Sequence, residues 1–544
     1  GSSMPIRITG LNSGLDTEAI ISELVSAYRT KEEKYQKAQT KLSWKQDAWK
    51  DLNIKVRSLY DNISNLRFTS AWTMKKTTVS DSAKATVTAA GSCVNGTQTL
   101  KIKQLAKGTY ITGGEISNPS AGTAPTSATK LSELGYTGSG GDIQVKDSSG
   151  NVVKTVSVTG NTTIKDLVSA LNGAGDTKAS FDATNKRIFM TSNKTGEQNA
   201  FSLDGDADIL KTVGLSKEGG ASIVDAQDSE IELNGAKFTS ANNTYTVNGL
   251  TIDCLAETGN SEISITTSVD TQSMYDQVKS FLSQYNSLMK EMYSLYNADS
   301  AKGYEPLTDS EKDQMTDTEV EKWEEKIKAA LLRRDDTLDG IMSTMKNAMS
   351  TSYYIYNGNA VTYDSDKQYY KCNGNAIKNS DGSYVTSASQ LKLWASANGA
   401  KKYSLSSFGI KTEAYATMTA NSSQDAYHID GDADDSVSKN NSDVLLNMLS
   451  SDPDTVSSFM KQLTSGLYSA IDTKMKSVKG LSSSYTIYND IEMAREYSDY
   501  TDTISKWEDK LTDLEDSYYK KFAAMESALA SLQSQSSSLS SLLS

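Results

Sequence analysis

The sequence predicts an α+β multidomain protein, in which a long terminal α-helical coiled-coil rod carries inserted antiparallel β-rich domains. Two observations predict this fold class. Apolar residues recur at steps of three, four or seven near both ends of the chain, which is the spacing of a coiled coil. Between the ends, β-branched residues alternate with polar ones, which is typical of half-buried strands. A chain of 544 residues is long enough for several domains.

The N-terminal pattern predicts one helix over residues 16–66, about 75 Å long at about 1.5 Å per residue. Asp16 or Thr17 can cap its start. The candidate seam residues of this helix are Leu24, Tyr28, Leu42, Leu52, Val56, Leu59 and Ile63. The matching C-terminal seam residues are Ile504, Trp507, Leu511, Leu514, Tyr518 and Leu529. The longer step from Leu514 to Met525 predicts a stutter that locally unwinds the supercoil.

The middle of the chain predicts two nested domains. Residues 77–116 and 227–270 are expected to pair as one β-rich domain. Residues 117–226 contain short strands and a helix over 162–171, which predicts an inserted α+β domain. The chain therefore leaves the rod through two β-containing domains and then returns to it.

The returning chain is helical again, with apolar three-four spacing from Tyr275 onwards. A leg domain is therefore expected from 41–76 and 271–519. Within it, residues 351–435 are rich in Tyr, Asn, Gly and Ser and predict hairpins and loops. The tyrosines over 353–370 leave two interpretations open, a binding surface or ordinary loop residues. The Ser-rich segment 533–544 is expected to order only on a partner.

Charge and hydropathy argue against several classes of partner. The chain has 55 Lys and Arg against 68 Asp and Glu, a formal net charge of -13. Without a basic stripe to release counterions, binding to nucleic acid is not expected. The same charge argues against binding to an anionic membrane surface, and no apolar run is long enough to span a bilayer.

Motifs for catalysis or metal binding are not found, and neither an enzyme nor a cofactor is expected. The single histidine, His428, lies in an Asp-rich segment that predicts a solvated loop. The segments 204–208 and 430–434 imitate the start of a calcium loop but lack its glycine and its bidentate glutamate, which favours solvated acidic turns. A hydrolase on a stalk would need paired carboxylates in a cleft, and none has a suitable spacing.

The three cysteines are too few and too scattered for a zinc site or a disulfide framework, although Cys93 and Cys254 both lie in strand-like segments where they could meet. Residues 1–3 before Met4 are interpreted as a cloning remnant. No signal peptide is recognised, which leaves a cytoplasmic location and export without a cleaved signal as the two alternatives.

Several segments, in the expected order along nearly the whole chain, resemble the flagellar hook-associated protein 2 (filament cap protein) family. The segment 8–21 is similar to the N-terminal signature of that family, and part of 163–196 is similar to the flagellin hook motif. The remaining segments that carry the resemblance are 281–286, 304–311, 323–324, 331–335 and 522–526. The stretch 351–435 departs from the family pattern.

The resemblance implies a structural cap at the distal tip of the bacterial flagellum, exported through the flagellar apparatus. It implies a homo-oligomer, with five copies preferred over four or six. Its β domains would form a plate with helical legs that retains flagellin and promotes its polymerisation. The implied partners are flagellin, the hook–filament junction proteins and a cytoplasmic export chaperone. An adhesin that binds host mucin or surface glycans is the alternative.

The terminal segments 4–40 and 520–544 are expected to contact the filament, because the seam ends there in weakly folding tails. The candidate residues are Leu11, Leu15, Asp16, Ile20, Ile21, Met525, Leu532, Leu539 and Leu542.

Overall fold

The computed structural model describes residues 13–119 and 122–544, which form two compact units. The first unit joins the chain up to Trp72 with Thr271–Ser544, and the second unit is Thr73–Asp270. Both predicted classes of element are present, which confirms the α+β multidomain fold class.

The helices of the described residues are α1 (Thr17–Ile63), α2 (Ile164–Leu171), α3 (Ala207–Thr212), α4 (Thr271–Tyr296), α5 (Asp309–Asp313), α6 (Asp317–Ala329), α7 (Asp336–Met349), α8 (Ala388–Asn398), α9 (Val444–Ser451), α10 (Pro453–Lys474) and α11 (Asp490–Leu543). The strands of the second unit are β1 (Lys75–Val79), β2 (Ala85–Ala89), β3 (Gly96–Gln104), β4 (Tyr110–Thr112), β5 (Gly141–Lys146), β6 (Val152–Val158), β7 (Thr177–Asp182), β8 (Arg187–Ser192), β9 (Ser202–Gly205), β10 (Ser222–Val224), β11 (Ser229–Leu233), β12 (Ala236–Ser240), β13 (Thr244–Val247), β14 (Leu250–Cys254) and β15 (Ile263–Val269). Those of the first unit are β16 (Tyr353–Tyr356), β17 (Asn359–Asp364), β18 (Tyr369–Cys372), β19 (Asn375–Ala376), β20 (Lys401–Tyr403), β21 (Ile410–Thr412) and β22 (Tyr427–Ile429).

Local sequence features explain why α1 and α11 form long, uninterrupted helices. The Asp16 carboxylate caps α1 by accepting from the backbone N–H of Ala19 at 3.2 Å, and α1 contains no Gly or Pro. The segment 490–544 also lacks Gly and Pro, and α11 continues to Leu543. The expectation that 533–544 folds only on a partner is therefore wrong, because an established helix adds further residues at little cost.

The core of the first unit is a bundle in which the C-terminal half of α1 packs with α4 and α10, and α7 packs against the same two helices. The largest buried side chains include Phe281 and Tyr285 of α4 and Phe459 of α10. Trp72 closes the bundle, with its indole N–H donating to the carbonyl of Leu66 at 2.7 Å. The three-four spacing that predicts these helices also marks the faces that are buried.

The insertion after α7 is a folded module and not only hairpins and loops. Its sheet has the order β19-β18-β17-β16-β20, with α8 on one face and α10 on the other. Tyr356 meets Trp394 of α8 edge-on at 5.4 Å, while Tyr353 meets Phe459 of α10 at 6.1 Å. Residues on opposite faces of the sheet therefore pack into two different apolar cores.

In the acidic segment after β22, Asp434 is exposed but the other two aspartates are buried, so the prediction of solvated turns is wrong for those two. Asp430 and Asp432 are less than one-tenth exposed. Lys411 pairs with Asp430 at 3.2 Å, and Lys279 of α4 pairs with Asp432 at 2.9 Å. His428 lies on β22, where its Nδ1 is 2.6 Å from Asp435, and it is not a solvated loop residue. Side-chain partners stabilise these carboxylates away from water.

The second unit contains two apolar cores. One lies between the sheets β1-β15-β3-β11-β12 and β13-β14-β2, and it includes both Cys93 and Cys254 as free thiols. Burial raises the pKa of Cys254 to about 11. The other core lies among β10-β4-β8-β7, β6-β5-β9, α2 and α3. In the calcium-like segment 204–208, Asp206 caps α3 and Asp204 pairs with Lys146 at 2.7 Å.

Candidate functional site: the helix pair α1–α11

The N-terminal half of α1 packs along α11, and this helix pair contains most of the predicted assembly residues. Ile21 and Val25 of α1 are buried against Tyr519 of α11. Leu511, Leu514, Tyr518 and Phe522 pack around them and are only partly buried. An apolar stripe of this width is typical of a two-helix contact, which buries one narrow face of each helix.

Aromatic side chains continue the contact between the two helices, on the C-terminal side of Val25 in α1. Tyr28 lies 6.1 Å from Trp507, and Tyr35 lies 6.4 Å from Tyr500. The ammonium groups of Lys31 and Lys510 lie 5.1 and 5.0 Å from the Trp507 ring centre, so the indole has a cation on each helix. Cation–π attraction of this kind suits a half-exposed seam, where a ring and a charge both keep some contact with water.

Two glutamates are buried in the pair. Glu32 of α1 is 8% exposed and Glu526 of α11 is 2% exposed. The Glu526 carboxylate accepts from the backbone N–H of Ser13 at 3.0 Å and also from the Ser13 hydroxyl. These bonds join the segment before α1 to α11 and give a buried carboxyl group the hydrogen-bond partners that it needs away from water.

The α1–α11 pair joins the bundle where the connection 476–489 crosses α1. Asn53 donates to the carbonyl of Tyr485 at 3.2 Å and accepts from the backbone N–H of Ile487 at 2.9 Å. Trp49 stacks on Tyr488 at 5.5 Å, and Arg57 lies 4.1 Å from the Tyr485 ring centre. One side chain, Asn53, thus satisfies two backbone groups of the connection.

The predicted site residues fall into four groups in the structure. Those that are buried are Ile21, Leu52, Val56, Leu59, Ile63 and Ile504. Those that are half-buried are Ile20, Tyr28, Leu42, Trp507, Leu511, Leu514, Tyr518, Met525 and Leu529. Those that are exposed are Leu15, Asp16, Leu24, Leu532, Leu539 and Leu542. Leu11 lies outside the described residues.

The sequence analysis did not identify Val25, Glu32, Tyr519 or Glu526 as seam residues. Val25 could have been found, because it follows Ile21 by one helical turn. The two glutamates could not, because a pattern of apolar residues ignores acids, which are rarely buried unless paired.

Beyond Glu526, α11 extends past the start of α1. Every side chain from residue 531 to residue 544 is exposed, including Leu532, Leu539, Leu542 and Leu543. The final segment of the helix therefore offers leucines that no described residue covers.

Comparison with known proteins identifies the family. The sequence profile described as "Flagellar hook-associated protein 2 C-terminus" matches residues 226–534, more than half of the chain. The profile described as "Flagellar hook-associated protein 2 N-terminus" matches residues 13–109. The chain belongs to the flagellar hook-associated protein 2 family. Its role is therefore that of a filament cap at the distal tip of the bacterial flagellum, and the adhesin alternative gains no support.

Two curated members of the flagellar hook-associated protein 2 family illustrate the relationship. The protein from Halalkalibacterium halodurans is 27% identical over 369 residues, which cover 63% of this chain and 68% of the relative. The A-type protein from Pseudomonas aeruginosa is 23% identical over 310 residues, which cover 52% of this chain and 62% of the relative.

A solved structure supports the fold of this family member. The crystal structure of the D1-D2-D3 domains of the flagellar cap protein FliD from Escherichia coli is 16% identical and has a TM-score of 0.50. The match covers 84% of this chain and 99% of that chain. At this level of identity the likeness concerns the α+β multidomain fold alone.

Two further properties bear on the class of protein. Among the helices of the described residues, none has the length and apolar content needed to cross a membrane. Residues 13–119 and 122–544 contain no group of three or more His, Cys, Asp or Glu side chains placed to hold a metal ion.

Proposed function

We propose that copies of this protein assemble into a cap, preferably a pentamer, whose α1–α11 pairs act as legs that contact the filament end. In this proposal the β-containing unit contributes to a plate that retains exported flagellin and promotes its polymerisation. The partners are other copies of the chain, flagellin, the junction proteins between hook and filament, and an export chaperone. The role is structural and not enzymatic.

The observation that carries the proposal is the exposed end of α11. The leucines at the end of α11 make no apolar contacts with the described residues of α1. A docking surface on another protein would supply such contacts. The Ser residues between those leucines keep the segment soluble before it binds. Such a segment can bind in gaps at a growing filament end and dissociate from them while the rest of the leg stays folded.

Deletion of residues 533–544 tests the proposal. The deletion removes exposed side chains only, so the purified chain should lose no more helical signal than the deleted residues contribute and should keep its thermal unfolding temperature. Filament growth in cells should be abolished. Electron-microscopy class averages of the purified variant report whether the ring and its copy number persist.

A matched control separates the leucines from the length of the helix. Replacing Leu539 and Leu542 by Ser should weaken filament growth, whereas replacing Ser536 and Ser540 by Ala should not, since these serines are equally exposed and Ala favours the helix. Unchanged growth of the deletion variant would refute contact with the filament through this segment. Rings of another symmetry would refute only the pentamer.

A further inference from the structure

A short hairpin in the connection between α10 and α11 presents apolar side chains to water. The backbone N–H groups of Val478 and Ser482 donate to each other's carbonyls at 3.1 and 2.9 Å, across a tight turn. The Arg495 guanidinium donates to the carbonyl of Gly480 and so holds the turn against α11. Val478 is 49% exposed and Leu481 is 37% exposed. The hairpin is therefore an ordered protrusion that carries exposed apolar residues.

The same hairpin is basic, in a chain whose net charge is -13. Lys476 and Lys479 are exposed, and the exposed Lys474 precedes them at the end of α10. Among the described Asp and Glu side chains, none forms an ion pair with these lysines or with Arg495. Unpaired cations beside exposed apolar residues favour a partner surface that is apolar at its centre and acidic at its rim.

A groove of about 420 Å³ between α1, α4 and α6 has these complementary properties. Its apolar lining includes Trp44 and Ala48 of α1 and Leu295 of α4. Asp47 and Asp51 also line it, and both are exposed. Neither aspartate forms an ion pair with a described Lys or Arg, so both carboxylates are available to a cationic partner.

The two lysines of the groove already have partners. Lys55 pairs with Glu291 of α4, and Lys328 of α6 lies 4.8 Å from the Trp44 ring centre. Glu325 precedes Lys328 by three residues, so it lies on the same face of α6, and it is exposed. The unpaired charge around the groove is therefore negative.

The hairpin and the groove lie on opposite sides of α1. The stripe of α1 that lines the groove includes Trp44, Ala48, Asp51 and Lys55. The stripe that contacts the connection carrying the hairpin includes Trp49, Asn53 and Arg57. At 3.6 residues per turn, the centres of the two stripes are about 170° apart. Because α1 lies between them, a hairpin cannot reach the groove of its own chain, whereas the hairpin of a second copy can.

On the basis of the proposed cap of several copies, we propose that the hairpin 478–482 of one copy docks into the α1–α4–α6 groove of the next. The exposed apolar side chains of the hairpin cover the apolar lining of the groove, while Lys476 and Lys479 pair with Asp47 and Asp51. Each copy then uses two different surfaces, which makes the contact head-to-tail. A head-to-tail contact closes into a ring when the rotation between copies permits it.

Cross-linking between two singly substituted forms of the full chain tests the contact. One form carries Ser477→Cys beside the hairpin, and the other carries Ala48→Cys in the groove. Both also carry Cys372→Ser, because Cys372 is the native thiol that is not buried. A short bis-maleimide should link the mixture into a covalent dimer, whereas neither form alone should give one. Leu393→Cys, exposed on α8, replaces the hairpin form as a control and should not be linked to Ala48→Cys.

Charge reversal tests the pairing across the contact. Lys476→Glu with Lys479→Glu should raise severalfold the concentration at which copies associate in sedimentation experiments, because both reversed charges then face carboxylates. Asp47→Lys with Asp51→Lys should have the same effect. The chain with all four substitutions should associate more tightly than either double variant. Lys392→Glu, an exposed reversal on α8, should leave association unchanged.

The outcomes separate this contact from the proposed cap. Rings in electron micrographs without a link between the two cysteine forms would overturn the hairpin–groove contact and leave the cap intact. A covalent dimer in either form alone would also overturn the contact, because the same surface would then face itself. No recovery in the fourfold variant would overturn the pairing of the lysines with the aspartates. Single copies at every concentration would overturn self-assembly of the chain, and this contact with it.

Discussion

The two halves of α1 belong to one unbroken helix but have different surroundings. Residues 49–63, the bundle half, bury Trp49, Leu52, Val56, Leu59 and Ile63 almost completely among α4, α10 and the connection 476–489. Residues 17–45, the paired half, contact mainly α11 and bury only Thr17, Ile21, Val25 and Glu32. The same helix is therefore a core element at one end and one member of a two-helix pair at the other.

This difference separates the source of stability from the place of adaptation. The bundle half gains its stability from apolar side chains with neighbours on several elements. The paired half uses rings, lysines and acids that remain partly in water, where each contact contributes less. In the proposed cap, a leg that adjusts to a growing filament end is expected to loosen at the paired half first.

The largest effect is expected from Leu52→Ala in the bundle half. Leu52 is fully buried, and truncation leaves a cavity that destabilises by about 2–5 kcal/mol. Urea unfolding followed by circular dichroism at the helix band should show a lower midpoint. The matched change Leu24→Ala, on the same helix but exposed, should leave the midpoint within error. Equal losses in the two variants would mean that the halves of α1 do not differ in this way.

A smaller effect is expected from Asn53→Ala at the boundary of the halves. The change leaves the carbonyl of Tyr485 and the N–H of Ile487 without their side-chain partner, which costs about 1–3 kcal/mol. Asn53→Asp keeps the acceptor for Ile487 and loses only the donor, so its loss should be smaller. Exchange protection of the connection 476–489 reports the result. If Asp is as damaging as Ala, repulsion between the new carboxylate and the Tyr485 carbonyl outweighs the retained Ile487 bond.

How far the sequence predicts this molecule depends on the kind of residue. The helices and their buried faces follow from apolar spacing, as Leu282 and Met289 of α4 or Leu463 and Leu467 of α10 illustrate. The module of the insertion does not follow, because α8 turns only Leu391, Trp394 and Ala395 inward and lies among turn-forming residues. Tyrosines from the strands complete its core. Which face of the sheet each tyrosine occupies depends on the strand register, which the sequence does not give.

The site was predicted in outline only. The exposed leucines of the tail and the seam around Leu511 come from the helical pattern. The buried acids Glu32 and Glu526 do not, since Glu526, for example, is recognisable only through its bonds to Ser13 at the opposite end of the chain. Pairing across such a separation is set by tertiary packing and not by local preference.

The smallest effect is expected from Trp507→Leu in the paired half. The leucine keeps an apolar side chain but removes the ring that lies near both Lys31 and Lys510, each worth about 0.5–1 kcal/mol at an exposed site. Exchange protection of 28–36 should fall severalfold, while that of the bundle half stays unchanged. Trp507→Phe keeps a ring with a weaker negative face, so its protection should lie between the native chain and the leucine variant. If leucine protects as well as tryptophan, the paired half is stabilised by buried apolar area alone, and its contrast with the bundle half is one of amount and not of kind.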